Sequence, residues 1–367
     1  MYILAVKMNI LIIDLVQKIK TLDTWRCDPI GGTTGSMIIL ADALTYKGCN
    51  VVISTKTGDG SCQRGMRHES IDKYKSLIDE TDVVMFSSRM NTNILQYSHS
   101  KHKRIIYVTG DLPSVERTYW LDDSTWVNMV DEFIFVSKFH KDTMVSYYNH
   151  TLSSSNCHFI YNPIDIKFNN TELSNRISNK LIYAGAPCKC IPTLPKVLRN
   201  IPGVGDKTKW VCDVYSSNDL YNNLGDLPGK KYNSMYKVAF NNLRRLNNVV
   251  VHDVVNKSEL STVFNNSSIF IHTQDYEETC GVTMLESMMA GVVPVSMRKG
   301  SASELIVHNI NGILVEDTPN RFNIMANEIN ELLKNKTKLE FLSKNATSSI
   351  YKYLRPEKIT DQYMNLF

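Results

Sequence analysis

The segment Glu278-Thr-Cys-Gly-Val-Thr-Met-Leu-Glu286 sets two carboxylates eight positions apart around Gly281, and Ser-Met-Met-Ala290-Gly291 and Val-Val-Pro294-Val295 follow directly. Met284, Leu285, Met288 and Met289 recur at helical spacing, so a helix with one buried face is expected to begin close to Gly281. A helix start presents N–H groups without intrahelical partners and a partial positive charge, which suits a phosphate. One carboxylate near the mouth of such a site and a second deeper in it could take two hydroxyl pairs of one ligand, a sugar and a ribose. The structural alternative is a solvated glutamate that complements the helix dipole and a second one in a polar pair.

Two further segments carry groups of the same kind. Gly31-Gly32-Thr-Thr-Gly35-Ser36 precedes a stretch with Met37, Leu40, Ala41 and Leu44 that ends at Lys47-Gly48, and glycines before a helix can cradle phosphate with backbone N–H groups. The spacing is not Gly-x-Gly-x-x-Gly, and about fifteen residues separate Gly31 from the first strand, so a nicotinamide-cofactor reading fails at its own fingerprint. Gly185-Ala-Pro-Cys-Lys189 follows an apolar run, and a lysine at the carboxyl end of a parallel strand could neutralise a pyrophosphate as a point charge. Against these stand an ordinary loop with a helix start and a surface lysine in a turn.

The elements that must position these groups are legible as repeats. Short apolar runs occur at Ile10–Val16, Val51–Thr55, Asp82–Ser88, Arg104–Thr109, Glu132–Val136, His158–Tyr161, Lys180–Ala184, Trp210–Val214, Val249–His252, Ser268–His272, Val292–Ser296 and Gly312–Val315. They alternate with stretches of helical period. Continuous rather than alternating apolar runs imply strands covered on both faces, hence parallel sheets with crossover helices. About twelve strands exceed one comfortable open sheet and point to two, as does a length of 367 residues. The polar stretch Asn169–Asn179 suggests a linker over 165–178, giving an α/β chain of two doubly wound lobes, 1–168 and 169–352. Leu220–Lys237 reads as a surface loop, and Lys56–His68 and Arg89–Lys103 as loops of the first lobe. Pro356–Phe367, with Ile359, Tyr363, Leu366 and Phe367 on a stripe, reads as a terminal helix in need of a docking site.

Composition removes several classes. The net charge of +4 is too dilute for a nucleic-acid binder. No segment has the 18–20 or so uninterrupted apolar residues of a membrane span, so a soluble, cytoplasmic protein is expected. The basic run Lys101-His-Lys-Arg104 could meet an anionic lipid or glycan, a peripheral contact at most, though a solvated helix end is the preferred reading. The eight cysteines sit mostly within apolar runs, as core or free thiols, and Cys188-Lys-Cys190 is too close-spaced for a zinc knuckle.

The order of blocks resembles a known family. Gly31-Gly32, Phe135-Val-Ser-Lys-Phe-His140, Ile160-Tyr-Asn-Pro-Ile-Asp165, Gly185 to Lys189, the Glu278/Glu286 pair with Ala290-Gly-Val-Val-Pro294-Val295, Glu304 and Asn311-Gly-Ile-Leu-Val315 together resemble the group 1, family 4 glycosyltransferases of GT-B fold, over nearly the whole chain. The resemblance implies two Rossmann-like lobes with a cleft between them and a C-terminal helix, 353–367, returning to the first lobe. It implies a nucleotide-diphosphate-sugar donor, a glycan, glycoconjugate or small-molecule acceptor, and transfer with retention of anomeric configuration. By position, Glu286 would bind the donor ribose and Glu278 the donor sugar. The N–H groups of Gly281, Val282 and Thr283, with Lys189, would meet the phosphates, Gly31 and Gly32 would face the same phosphates, and Val255 would lie by the base. Catalytic roles then fall to Glu278, Lys189 and Asp111, with no metal or other cofactor.

There are departures. Ala186 and Cys190 stand where the family has an arginine and a second glycine, leaving one cation fewer unless Arg89 or Arg298 substitutes. Val108-Thr-Gly-Asp111 lacks the histidine many relatives carry, and Asp111 is its nearest ionisable group. These gaps keep two alternatives open: a sugar-nucleotide epimerase or isomerase of similar form, and a degenerate binding protein without catalysis.

Overall fold

A computed structural model describes residues 7–15, 29–169, 176–177, 179–217 and 230–367. The chain divides into two compact units. The first takes in Ile30–Pro163 and Pro356–Phe367, and the second Ile164–Arg355.

The first unit is built on an eight-stranded sheet. In chain order its strands are β1 (Asn9–Asp14), β2 (Asn50–Thr55), β3 (Ser61–Gln63), β4 (Met66–Ser70), β5 (Val83–Ser87), β6 (Arg104–Thr109), β7 (Glu132–Phe135) and β8 (Cys157–Phe159). Their order across the sheet is β3-β4-β2-β1-β5-β6-β7-β8, and every pairing is parallel except β3 with β4. The apolar runs are therefore strands because both faces are covered: Leu11, Val84, Phe86, Tyr107 and Phe133 are buried in one cluster with Trp120.

β3 and the first three residues of β4, 66–68, occupy the expected loop Lys56–His68. Residues 61–70 fold as a hairpin whose turn, Arg64-Gly65, has φ of +50° and +80° at its two central positions, the left-handed pair that matches strand twist. Arg-Gly is a weaker sequence signal for that turn than Asn-Gly, and the strand side chains are largely polar. His68 is nonetheless wholly buried, with Nε2 2.9 Å from the Thr55 hydroxyl of β2, and this fixes the hairpin on the sheet edge.

The second unit has a six-stranded, wholly parallel sheet made of β9 (Lys180–Ala184), β10 (Val211–Tyr215), β11 (Val249–His252), β12 (Ile269–His272), β13 (Val293–Met297) and β14 (Ile313–Val315). Its order is β11-β10-β9-β12-β13-β14. The expected loop Leu220–Lys237 needs correction at its end, because a helix spans Lys230–Arg244, while 218–229 lie outside the described residues. So do Val16 at the end of the first expected strand, Cys27, and 170–175 with 178 in the expected linker. The remaining seven cysteines are free thiols.

The C-terminal helix belongs to the first unit. Arg355 is extended (φ −64°, ψ 149°), as the residue before a proline prefers, and it ends the Lys336–Leu354 helix. Pro356 then opens the Pro356–Met364 helix. Ile359 and Tyr363 bury their side chains, and Asp361 pairs with Lys47 at 2.7 Å, just past the Gly32–Tyr46 helix. Truncating Ile359 to alanine should therefore cost about 2–5 kcal/mol in urea-induced unfolding of the first unit; an unchanged midpoint would show that this helix is not part of the core.

Candidate active site

Parallel strands deliver their carboxyl ends to one edge, and in the second unit three neighbours, β9, β12 and β13, bring a charged cluster together there. His272 is the last residue of β12 and pairs in register with Ser296 of β13, whose hydroxyl lies 3.1 Å from His272 Nδ1. The other ring nitrogen, Nε2, is 2.9 Å from Glu278 Oε2. Lys189, in the short Pro187–Cys190 helix after β9, donates to Glu278 Oε1. Two threonines hold the turns in place: Thr193 Oγ1 is 2.8 Å from Thr273 Oγ1, and Thr193 Oγ1 also donates to the Thr273 carbonyl at 2.8 Å.

Glu278 is 5% exposed. Burial pushes its carboxyl up most strongly of any single cause, yet Lys189 and the hydrogen bond from His272 together outweigh burial and hold it at about 2. The carboxylate is thus a fixed negative charge at neutral pH. Its backbone is equally constrained. Gly300, with φ of +51°, approaches so closely that a Cβ there would stand 2.4 Å from the Glu278 carbonyl oxygen, and Ser301 N–H donates to that oxygen at 2.9 Å.

The expected helix runs Val282–Met289, and Gly281 is its N-cap in the left-handed region (φ +64°, ψ 45°), where a side chain would be strained. The first-turn N–H groups, Val282 and Thr283 among them, have no partner within the helix. Glu286 faces inward and is 2% exposed. Both of its oxygens receive the ammonium of Lys257, at 2.6 and 2.7 Å. Burial raises the Glu286 carboxyl above the ordinary glutamate value; Lys257 pulls it down without cancelling that rise, and Asp165 adds to it.

The other residues singled out by sequence fall as follows. Val255, half-buried, follows β11 by three positions. Gly31 is the N-cap of the Gly32–Tyr46 helix in the first unit, so Gly32, Thr33 and Gly35 are helical rather than part of a preceding loop. Thr34 ties this helix to the end of β1 by donating to the buried Asp14 at 2.9 Å. Asp111 follows β6, and its carboxylate pairs with Arg117 at 2.6 Å. His140, pushed down to about 4 by burial, is neutral; its Nδ1 accepts from Val136 N–H, so Nε2–H donates to the Asp111 carbonyl at 2.8 Å. Ala186 and Cys190, which stand in place of the family's arginine and glycine, are buried. Arg298 points to Glu316 at 2.6 Å, and Arg89 lies in the first unit. Among the described residues no group of three His, Cys, Asp or Glu side chains could hold a metal, and no helix is long and apolar enough to cross a membrane.

Residues 215–349 match the family described as Glycosyl transferases group 1. The chain has the two-lobed GT-B fold, and part of its second unit is similar to the group 1 glycosyltransferases. The match takes in Lys257, Glu278 and Glu286, while Lys189 lies before it. A 93-residue segment is 32% identical to the N-acetyl-alpha-D-glucosaminyl L-malate synthase of Bacillus anthracis; it makes up 25% of this chain and only 23% of that protein. The GT-B architecture extends over the whole chain. The Anabaena protein HepE, crystallised with UDP and glucose, aligns with a TM-score of 0.70 at 16% identity over 98% of each chain. Sucrose-phosphate synthase of Thermosynechococcus elongatus aligns with a TM-score of 0.69 at 15% identity, again over 98% of each. At such identities the likeness is one of fold.

Three residues that shape the site are not evident from sequence. His272 reads only as the end of an apolar run, Lys257 as one charge at a helix start, and Gly300 carries no motif. Two outcomes are expected. A carboxyl held at about 2 in the fold and near 4.5 when unfolded adds stability that is complete above about pH 4.5 and is lost as pH falls towards 2. The linked amount is on the order of 3 kcal/mol, so the stability gap between wild type and Glu278→Gln should shrink between pH 6 and pH 2.5; a constant gap contradicts the assignment. Gly300→Ala should lower the unfolding midpoint by several degrees, about 2 kcal/mol or more, and an unchanged midpoint would mean the approach to Glu278 relaxes freely.

Proposed function

We propose that the chain transfers a sugar from a nucleoside diphosphate sugar to an acceptor hydroxyl, with retention of configuration at the anomeric carbon. The observation that carries this reading is the ionised, buried Glu278, held by Lys189 and His272 and set just ahead of a left-handed glycine that opens a helix. That arrangement provides a fixed acceptor for sugar hydroxyls beside a group of donors for phosphate. The UDP and glucose found with HepE are ligands of this kind.

As the bond from the anomeric carbon to the leaving phosphate oxygen lengthens, negative charge grows on the diphosphate. The Val282 and Thr283 N–H groups and the Lys189 ammonium stabilise that charge, and preorganised donors of this sort supply the largest part of many rate enhancements. In the free protein the ammonium rests on Glu278; with donor bound it is shared between carboxylate and phosphate. Glu286 takes the ribose, and the backbone at Val255 meets the base. The acceptor hydroxyl attacks from the face the diphosphate leaves, and its proton passes to the departing phosphate oxygen, so no covalent enzyme intermediate and no metal is needed. The roles of Gly31, Gly32 and Asp111 rest on the family resemblance. The acceptor is a glycan, a glycoconjugate or a small molecule, and the reaction takes place in the cytoplasm.

Glu286→Ala should weaken donor binding at least about tenfold by calorimetry while leaving the protein folded. Lys189→Ala should lower kcat by about 10²–10³, measured on protein that is still folded, since leaving Glu278 with one partner fewer also lowers the unfolding midpoint. The product should keep the donor's anomeric configuration by NMR. An inverted product, or wild-type turnover without Lys189, contradicts the mechanism; an isomerised nucleotide sugar formed with no acceptor present would indicate the epimerase alternative, and binding without turnover the degenerate one.

A further inference from the structure

Glu286 and Lys257 form a deeply buried ion pair in the second unit, with side chains 3% and 10% exposed. The lysine opens the Lys257–Asn265 helix, whose N-cap Asn256 accepts from Glu259 N–H and so fixes where that helix begins. Its ammonium spans both carboxylate oxygens, at 2.6 and 2.7 Å. A carboxylate oxygen has two lone pairs, so each oxygen keeps one for a further donor. A buried carboxylate with no such partner would give up its charge, and a protonated carboxyl accepts hydroxyl hydrogen bonds poorly.

We infer that Lys257 is a positioning residue for the donor ribose: it holds the Glu286 carboxylate in one orientation, with its open lone pairs presented to the sugar hydroxyls. This rests on the donor-site reading given above, in which Glu286 takes the ribose. Lys257 itself touches no ligand. Its effect passes through Glu286, and a merely structural lysine would leave ribose recognition untouched.

The charged groups that face Glu286 among the described residues are Lys257, from its helix, and Asp165, from the segment leading into the Ile166–Phe168 turn. With the lysine gone, burial and Asp165 both push the carboxyl up and nothing opposes them. The charged form of the acceptor is then disfavoured and regained as pH rises. Preference for a ribonucleotide over its 2′-deoxy counterpart reads the hydroxyl contact directly.

The experiment is calorimetric titration of the full chain with UDP, GDP and ADP, each against its 2′-deoxy form, between pH 6 and 9.5. Wild type should prefer the ribose form of the base it binds by about tenfold or more, the range for a hydrogen bond to a charged acceptor. Lys257→Met should lose that preference at pH 7 and recover it as pH rises, while Lys257→Arg should retain it throughout. A folded Lys257→Met protein with wild-type preference at every pH overturns the inference. Glu286→Gln removes the buried charge, so Lys257→Met added to it should fold and change the preference no further. An additional loss in that background would mean that Lys257 meets the ligand itself, and would also overturn the inference. If wild type binds none of the diphosphates, or binds without ribose preference, the donor-site reading fails first and the role of Lys257 falls with it.

Discussion

The second unit is organised around one electrostatic requirement: a carboxylate taken out of water must be paired. An unpaired ionised group in a low-dielectric interior costs so much that it would protonate instead. Glu278 meets the requirement with Lys189 on one oxygen and His272 at the other, and Glu286 meets it with Lys257 on both. Glu278 is thereby held as a fixed negative charge at neutral pH, and Lys257 opposes the upward push of burial on Glu286, without the reorganisation that water would need to make them acceptors.

Topology is what makes the pairing possible. In a parallel sheet every carboxyl end emerges at the same edge, so residues distant in sequence meet wherever their strands are neighbours. The order β9-β12-β13 sets the turn carrying Lys189 beside the turn carrying Glu278, with His272 and Ser296 in register behind them. The Thr193–Thr273 contact fixes these two turns against each other, and the close approach of Gly300 fixes the backbone at Glu278. The Lys257 helix follows β11, farther along the same sheet, and supplies its cation to the deeper glutamate.

Much of this architecture is legible in the amino-acid sequence. The twelve apolar runs are strands, because continuous hydrophobicity has one economical use in an α/β protein, and the Gly281 helix start is marked by its periodicity. The Met66–Ser70 strand is not legible, because its outward side chains are polar and its turn is Arg-Gly, so the burial of His68 by Thr55 has no counterpart in the local pattern. The Gly32–Tyr46 helix starts earlier than its sequence suggests, since glycine and threonine are poor helix formers and read as loop. The partners of the two glutamates are hidden for another reason. Lys257 and His272 are set beside Glu286 and Glu278 by strand order and turn geometry, which local pattern does not encode. The arginine absent at Ala186 is apparent from sequence; that Lys189 already carries a carboxylate is not.

The central claim is that this balanced pair of glutamates forms a site for a nucleoside diphosphate sugar. It is tested most directly by the unfolding midpoint of the intact chain with UDP-, GDP- and ADP-linked sugars, each compared with its free sugar. A ligand that binds only the folded state stabilises it by mass action, about 2.7 kcal/mol at a hundredfold excess over Kd. The account predicts that the sugars linked to one base raise the midpoint by several degrees while the free sugars do not. If no nucleotide sugar moves the midpoint at millimolar concentration, the two buried carboxylates are a structural device and the donor-site account is wrong.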